Sequence, residues 1–314
     1  MMSNCSWSLQ TPRSMGAIAI IQLEGDLETA LVAMTGKNNW KLGKMHLVNI
    51  QGVDEVIAVK LQENVAQIML HGGMQVLREF ETRCKQLGIV QVNDSHYVEA
   101  ADSIESSMLG AISVATSAQA IDLLLAQPAK LRGALPSDDD LARSKRLNHL
   151  IVPPKVVLLG KPNTGKSTLM NALTSEQTSI VHHLPGATRD AVGARVNCLG
   201  LVVDVYDLPG FQESDDSVEQ EAIAIAKTIH DEADLVLLIA DHEHEWLLQD
   251  NTLCIHVATK SDLGVRNDAD ICVCATTGDG LRELAALIRE SLVPQKDVVS
   301  QKPWFFLGYK PTDE

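Results

Sequence analysis

The sequence predicts an α/β protein. A mostly parallel sheet fills the C-terminal half, preceded by a smaller α+β domain and a short helical segment. Three observations point there. Five short apolar runs between residues 155 and 275 have the length of buried strands and alternate with helical patterns, as a parallel sheet covered on both faces requires. Residues 1–95 mix strand-like runs with a long helical stripe. Between the halves, Pro153-Pro154 forbids helix and opens a new unit.

Along the first part, residues 16–23 (GAIAIIQL) read as a strand and 26–34 as a helix. Strand candidates recur at 53–59 and 65–70. The spacing of Val76, Phe80 and Leu87 predicts a helix over 74–87. Residues 97–131 are polar and small, with Ile104, Met108, Ile112, Ile121 and Leu125 forming a thin apolar stripe, so one or two helices are expected. The stretch 133–140, GALPSDDD, combines Gly, Pro and an acidic run and reads as a linker.

In the second part, strands are expected at 155–159, 201–206, 235–240, 253–258 and 271–275, with helices at 165–173, 218–230 and 280–288. The pattern fades past Leu292, and Trp304-Phe305-Phe306-Leu307 is expected to pack on the core, with docking of a partner as the alternative. The expected division is an α+β domain over 1–95, a helical segment and linker over 96–150, a larger α/β domain over 151–292 and a tail over 293–314.

Composition narrows the function classes. With 314 residues, 45% hydrophobic and 21% charged, the chain has room for about two domains and is neither fibrous nor wholly disordered. No apolar stretch approaches the roughly 18 residues of a membrane span, and no basic-then-apolar leader opens the chain. Six scattered cysteines without a C-x-x-C motif read as reduced thiols, and a cytoplasmic location is expected. The net charge is −15, with 13 basic and 16 acidic residues in 1–150 against 13 and 25 in 151–314. An acidic second half disfavours non-specific binding to phosphate backbones, yet leaves room for one nucleotide with a magnesium ion.

The motifs supply the chemistry. Gly160-Lys161-Pro162-Asn163-Thr164-Gly165-Lys166-Ser167, followed by Thr168, fits G-x-x-x-x-G-K-[ST] between an expected strand and helix. Its glycines let backbone N–H groups converge on phosphate oxygens, Lys166 reaches the β- and γ-phosphates, and Ser167 offers a hydroxyl to magnesium. Asp207-Leu208-Pro209-Gly210 follows a strand, so Asp207 can hold magnesium and Gly210 can offer its N–H to the γ-phosphate. Thr259-Lys260-Ser261-Asp262 follows another strand. A carboxylate there accepts from the guanine N1–H and exocyclic amine, a donor pair that adenine lacks. Cys274-Ala275-Thr276-Thr277-Gly278 then resembles a loop that packs around the base. Thr188, in Pro185-Gly186-Ala187-Thr188-Arg189-Asp190, is placed to contact magnesium and the γ-phosphate. After Gly210 stands Phe211, which cannot orient water by hydrogen bonds.

Together, GKPNTGKST, PGATRD, DLPG and TKSD resemble the MnmE/TrmE family of tRNA-modification GTPases, as a divergent, shortened member. The resemblance implies a P-loop GTPase that hydrolyses GTP to GDP and phosphate. It implies catalytic roles for Lys166, Thr188 and Glu219, the last positioning the nucleophilic water. It implies Asn163 as the ligand of a potassium ion that stimulates turnover and G-domain dimerisation. Pro12-Arg13-Ser14-Met15-Gly16-Ala17-Ile18 and Gln67-Ile68-Met69-Leu70-His71-Gly72-Gly73 are similar to family stretches in a domain that dimerises and binds a tetrahydrofolate derivative. The family also implies tRNA and a modification partner protein. The family's C-terminal cysteine motif has no counterpart here, and Gln67 stands where the family has glutamate. The alternative expectation is a GTP-dependent switch or scaffold with negligible turnover and no tRNA chemistry. An ATP-dependent P-loop enzyme is a further rival, which Asp262 argues against.

Overall fold

The computed structural model describes residues 4–13, 16–92, 97–176, 192–207, 231–247 and 253–309. The chain divides into two compact units, one running to Val114 and the other spanning Ala115–Leu307.

In the first unit, six strands form one sheet: β1 (Cys5–Leu9), β2 (Ile18–Gly25), β3 (Met45–Ile50), β4 (Asp54–Lys60), β5 (Val65–His71) and β6 (Val90–Gln91). Their order is β3-β4-β5-β2-β1-β6, antiparallel except for the parallel β1–β6 pair. The period-2 alternation of each strand decides which face is buried. Val48, Ile50, Val56, Ala58, Ile68 and Leu70 are buried, while Met45, Leu47 and Ile57 alternate with them and stay exposed. Helices α1 (Leu27–Thr35) and α2 (Met74–Leu87) contribute Leu27, Leu31, Phe80 and Cys84 to the same core, where Trp7 meets Phe80 edge-to-face at 5.7 Å. Helix α3 (Ser103–Val114) completes the unit's described helices. Strands β1 and β3 escaped the sequence reading because they interleave polar and apolar residues over only five and six positions.

The second unit opens with short helices α4 (Gln119–Leu125), α5 (Gln127–Leu131) and α6 (Asp138–Leu147), then a 3₁₀ turn at Asn148–Leu150. The expected linker over 133–140 is corrected at its end: residues 133–137 lie outside helix, but 138–140 are helical. Ser137 Oγ accepts from the backbone N–H of Asp140, and the Asp140 carboxylate accepts from the N–H of Ser137, so the acidic run starts α6 as a capping box. Its three aspartates also suit the positive end of the helix dipole.

The second sheet contains β7 (Lys155–Leu159), β8 (Val192–Cys198), β9 (Leu201–Asp207), β10 (Leu235–Ala240), β11 (Cys254–Ala258) and β12 (Ile271–Cys272), in the order β12-β11-β10-β7-β9-β8. All neighbours are parallel except the β8–β9 edge hairpin. Every residue of β10 is buried, as a strand covered on both faces demands. Helices α7 (Lys166–Glu176), α8 (Leu281–Leu292) and α9 (Gln295–Val298) complete the described part of this α/β unit. The run expected as a strand over 271–275 pairs only at Ile271 and Cys272. Cys274 already belongs to a turn, with its N–H on Asp279 O and its carbonyl accepting from Gly278 N–H.

Helical segment, sheet and C-terminal residues interlock within this unit. Val202 N–H of β9 donates to Ser117 Oγ at 3.0 Å, and Arg289 of α8 donates to Gln119 Oε1 at 2.9 Å. Arg146 of α6 pairs with the buried Asp297 at 2.6 Å. Trp304 and Phe306 are buried, and Trp304 donates from its backbone to Gln127 Oε1 and from its indole to Asn148 Oδ1. Among the described residues no helix is long and apolar enough to cross a membrane.

Candidate functional site

In a parallel sheet the loops leaving the strand C-termini gather at one edge. Here the edge collects the loop after β7, Asp207 at the end of β9, Asp241 just past β10, the turn after β11 and the turn after β12. Gly160, Asn163, Thr164, Gly165, Lys166, Ser167, Thr168, Asp207, Thr259, Lys260, Asp262, Cys274 and Ala275 all lie in these segments. Thr188, Gly210, Phe211 and Glu219 lie outside the described residues.

Gly160 is glycine for a steric reason. A Cβ there would stand 2.3 Å from the carbonyl oxygen of Ile239 in the neighbouring strand β10. The close approach lets the loop turn sharply over the sheet. Inside it, Lys166 Nζ donates to the carbonyls of Gly160 at 2.9 Å and Lys161 at 3.1 Å. Burial lowers the Lys166 pKa, and the nearby Asp207 charge opposes that shift. Thr164 is fully buried and donates its hydroxyl to Lys161 O at 2.8 Å, cross-bracing the turn.

The turn after β11 fixes the outer side of the loop. Thr259 Oγ1 donates to Thr164 O at 2.5 Å, and Lys260 Nζ donates to Asn163 O at 2.7 Å. Asn163 itself adopts the left-handed region, with φ at 64°. In a trans peptide the C=O and the following N–H point opposite ways. Holding the carbonyls of Asn163 and Thr164 toward the β11 turn therefore aims the N–H groups of Thr164 and Gly165 the other way. Those are the donors a phosphate-binding loop needs.

Ser167, in the first turn of α7, donates to Asp207 Oδ2 at 2.5 Å. A hydroxyl and a carboxylate thus meet where strand and helix converge, and hard oxygen donors of this kind suit Mg²⁺. Asp262 is exposed, and Cys274 Sγ donates to its Oδ1 at 3.3 Å. Hydrogen bonding with Thr276 and Thr277 lowers the Cys274 pKa, against the opposing influence of Asp262. Beside this turn, Thr168, Asn171, Ala275, Thr276 and Gly278 line an open groove of about 390 Å³.

Sequence reasoning missed Asp241. It is 1% exposed and accepts from Lys260 Nζ at 2.8 Å, His244 Nδ1 at 2.6 Å and the N–H groups of Glu243 and His244 at 3.1 Å. Burial works against its charge, but the hydrogen bonds from Lys260 and His244 outweigh it and hold the carboxyl well below the usual carboxylate range. The available signal was an acidic residue directly after the apolar run LVLLIA, the same pattern that marks Asp207.

In the first unit, the stretch His71-Gly72-Gly73 is engaged in packing and pairing. A Cβ on Gly72 would stand 2.3 Å from Gly16 O. The His71 ring nitrogen Nδ1 lies 2.8 Å from Asp54 Oδ2, and the His71 N–H donates to the same carboxylate at 2.9 Å.

Residues 155–267 match the family model described as 50S ribosome-binding GTPase. Across most of its length the chain is similar to curated tRNA modification GTPases named MnmE. The Rhizobium johnstonii protein is 30% identical over 284 residues, covering 86% of this chain and 61% of that protein. The Synechococcus sp. (strain CC9605) protein is 25% identical over an alignment of 399 residues, covering 93% and 88%. The Acidiphilium cryptum protein is 40% identical over 139 residues, covering 43% and 32%. The chain spans 61%, 56% and 60% of the lengths of the relatives from Rhizobium johnstonii, Sinorhizobium medicae and Rhizobium meliloti.

Proposed function

Because this chain belongs to the MnmE/TrmE family and carries a P-loop GTPase domain, we propose that it binds GTP with Mg²⁺ and hydrolyses it to GDP and phosphate, with turnover stimulated by potassium and coupled to G-domain dimerisation. One observation carries this reading. The phosphate loop, the Ser167–Asp207 pair and the Thr259–Asp262 turn stand at one sheet edge, and Lys260 and Thr259 tie the turn to the loop.

Lys166 would exchange its bonds to loop carbonyls for oxygens of the β- and γ-phosphates. The N–H groups of Thr164 and Gly165 would take further phosphate oxygens. Ser167, Asp207 and Thr188 would hold Mg²⁺, which when bound neutralises charge on the phosphates. The Asp262 carboxylate would accept from the guanine N1–H and amine, oriented by the Cys274 thiol. Glu219 would orient the attacking water, whose oxygen bonds to the γ-phosphorus as the bridge to the β-phosphate breaks. GDP then leaves with the bonding pair, and the water's proton passes to phosphate and solvent. Asn163 would hold potassium beside the phosphates, supplying positive charge in the transition state.

The name shared by the relatives brings tRNA modification into the proposal. The −12 balance of residues 151–314 disfavours that half as the tRNA-binding surface, so the proposal assigns tRNA contact elsewhere or to a partner protein. A tetrahydrofolate derivative forms no part of this reading; the His71-Gly72-Gly73 stretch packs against Gly16 and pairs with Asp54.

The test is GTP turnover in KCl and NaCl at equal ionic strength, for the wild type and Glu219→Ala. Faster turnover in KCl, and a fall of about a hundredfold or more in Glu219→Ala, is the expected result. Phe211, unable to orient water, favours a second reading as a GTP-dependent switch with negligible turnover. Equal, slow turnover in both salts and in both proteins would select it.

A further inference from the structure

We propose that Asp241 is a positioning residue of the nucleotide site, holding the Lys260 ammonium across the phosphate loop so that the loop's N–H groups stay aimed at the nucleotide. The proposal rests on the GTP-binding reading above and goes beyond it, because Asp241 belongs to none of the nucleotide motifs.

The geometry runs as a chain of three links. Asp241 lies one residue past the end of β10, where Ala240 O accepts the Thr259 N–H at 2.9 Å. The carboxylate is 1% exposed, and its Oδ2 lies 2.8 Å from Lys260 Nζ. The same nitrogen reaches on to Asn163 O at 2.7 Å. A lysine side chain loses considerable rotamer freedom when fixed, and one neutral carbonyl offsets little of that loss. A buried carboxylate makes a stronger, charge-assisted partner and fixes the ammonium at the point where it reaches the loop. The Lys260 backbone is already committed to the unusual left-handed region at φ 53°, which directs the residue back over the loop. The other face of Asp241 is occupied by His244 and the Glu243 and His244 N–H groups, and Arg266 donates to its backbone oxygen at 3.1 Å. The carboxylate is therefore anchored on one side and hands Lys260 to the loop on the other.

The experiment measures dissociation of a fluorescent GDP analogue and the thermal midpoint for wild type, Asp241→Asn, Lys260→Met, the double variant and His244→Ala. Asp241→Asn and Lys260→Met should each speed dissociation about tenfold or more, the loss of roughly one charge-assisted hydrogen bond. The double variant should match the singles, because both remove the same link. His244→Ala should dissociate within about twofold of wild type even if its midpoint falls. Additive effects in the double variant, wild-type dissociation in Asp241→Asn, or equal acceleration in His244→Ala would each overturn the proposal. Should Asp241→Asn not fold, Asp241→Ser takes its place. Serine keeps an acceptor for the backbone N–H groups but is too short for Lys260. Failure of both to fold would assign Asp241 to stability alone and overturn the proposal. A wild-type chain that binds no guanine nucleotide would sink the GTP-binding reading itself, whereas wild-type binding with an unaffected Asp241→Asn sinks only the inference.

Discussion

Replacing Gly160 with alanine should cripple nucleotide binding while leaving the chain folded. The added Cβ would stand 2.3 Å from Ile239 O, 3.1 Å from Thr164 Oγ1 and 3.2 Å from the Ile239 carbonyl carbon, where an ordinary contact begins at 3.4 Å. Ile239 belongs to β10, which is hydrogen-bonded to β7 on one side and β11 on the other, so that oxygen cannot retreat. The loop must yield instead, by about 1 Å. Such overpacking costs about 1–3 kcal/mol of stability. The displaced loop also misaligns the Lys166 anchor on Gly160 O and the N–H donors beyond it. Losing the equivalent of one charge-assisted phosphate contact, about 2 kcal/mol, weakens GTP affinity roughly thirtyfold. Titration with a fluorescent GTP analogue, alongside thermal unfolding, reads both effects. Gly110→Ala is the internal control. Gly110 lies within α3, and its added Cβ would meet only the Tyr97 ring at 3.6 Å. That variant should gain about 0.5–1 kcal/mol from helix propensity. A Gly160→Ala protein that binds GTP within threefold of wild type, with an unchanged Tm, would refute the reasoning.

Three other outcomes are expected. Asp262→Asn should lower GTP affinity about tenfold or more and narrow the preference over ATP, measured by competition titration, because an amide cannot accept from both guanine donors. Trp304→Ala should cost about 3–5 kcal/mol in chemical denaturation, since it empties a buried indole site, removes one of the two donors to Asn148 Oδ1 and loses the edge contact with Phe306. Asp54→Ala should show a pH-dependent loss of stability. Burial opposes the Asp54 charge, but hydrogen bonds from the His71 backbone and ring hold its pKa below the ordinary carboxylate value. A lowered folded-state pKa stabilises above the unfolded value of about 3.9, and that contribution is lost as pH falls through the folded value. The gap between wild type and Asp54→Ala, about 1 kcal/mol at pH 7, should therefore close as unfolding is followed from pH 5 downward.

Much of the molecule was legible in the chain itself. The helix over Met74–Leu87 and the strands Lys155–Leu159 and Leu235–Ala240 fall where hydrophobic periodicity and run length put them, because a 14-residue amphipathic stripe and a fully buried strand leave strong local patterns. The capped start of α6 was hidden by composition. A Ser-Asp-Asp-Asp run is equally compatible with a solvated linker until Ser137 and Asp140 are seen exchanging hydrogen bonds. Residues 201–206 outlined β9, but its antiparallel partner β8 gave no comparable signal, since Arg195 and Asn197 interrupt its apolar positions.

The nucleotide motifs were set by sequence alone, because each depends on residue types at fixed short spacings: the glycine-lysine-serine loop, the Asp207 strand end, the Thr259–Asp262 turn. Local spacing cannot reveal what those motifs lean on. Gly160 is required by the carbonyl of Ile239, 79 positions away, and Asn163 is held by Lys260, which Asp241 holds in turn. The burial of Trp304 against Asn148 and Gln127 likewise joins the last residues of the unit to its first helices. Such contacts come into being only when the parallel strands assemble and bring distant strand ends to one edge. The sequence determined which chemistry the chain carries, and the tertiary structure decided which unmarked residues hold it in place.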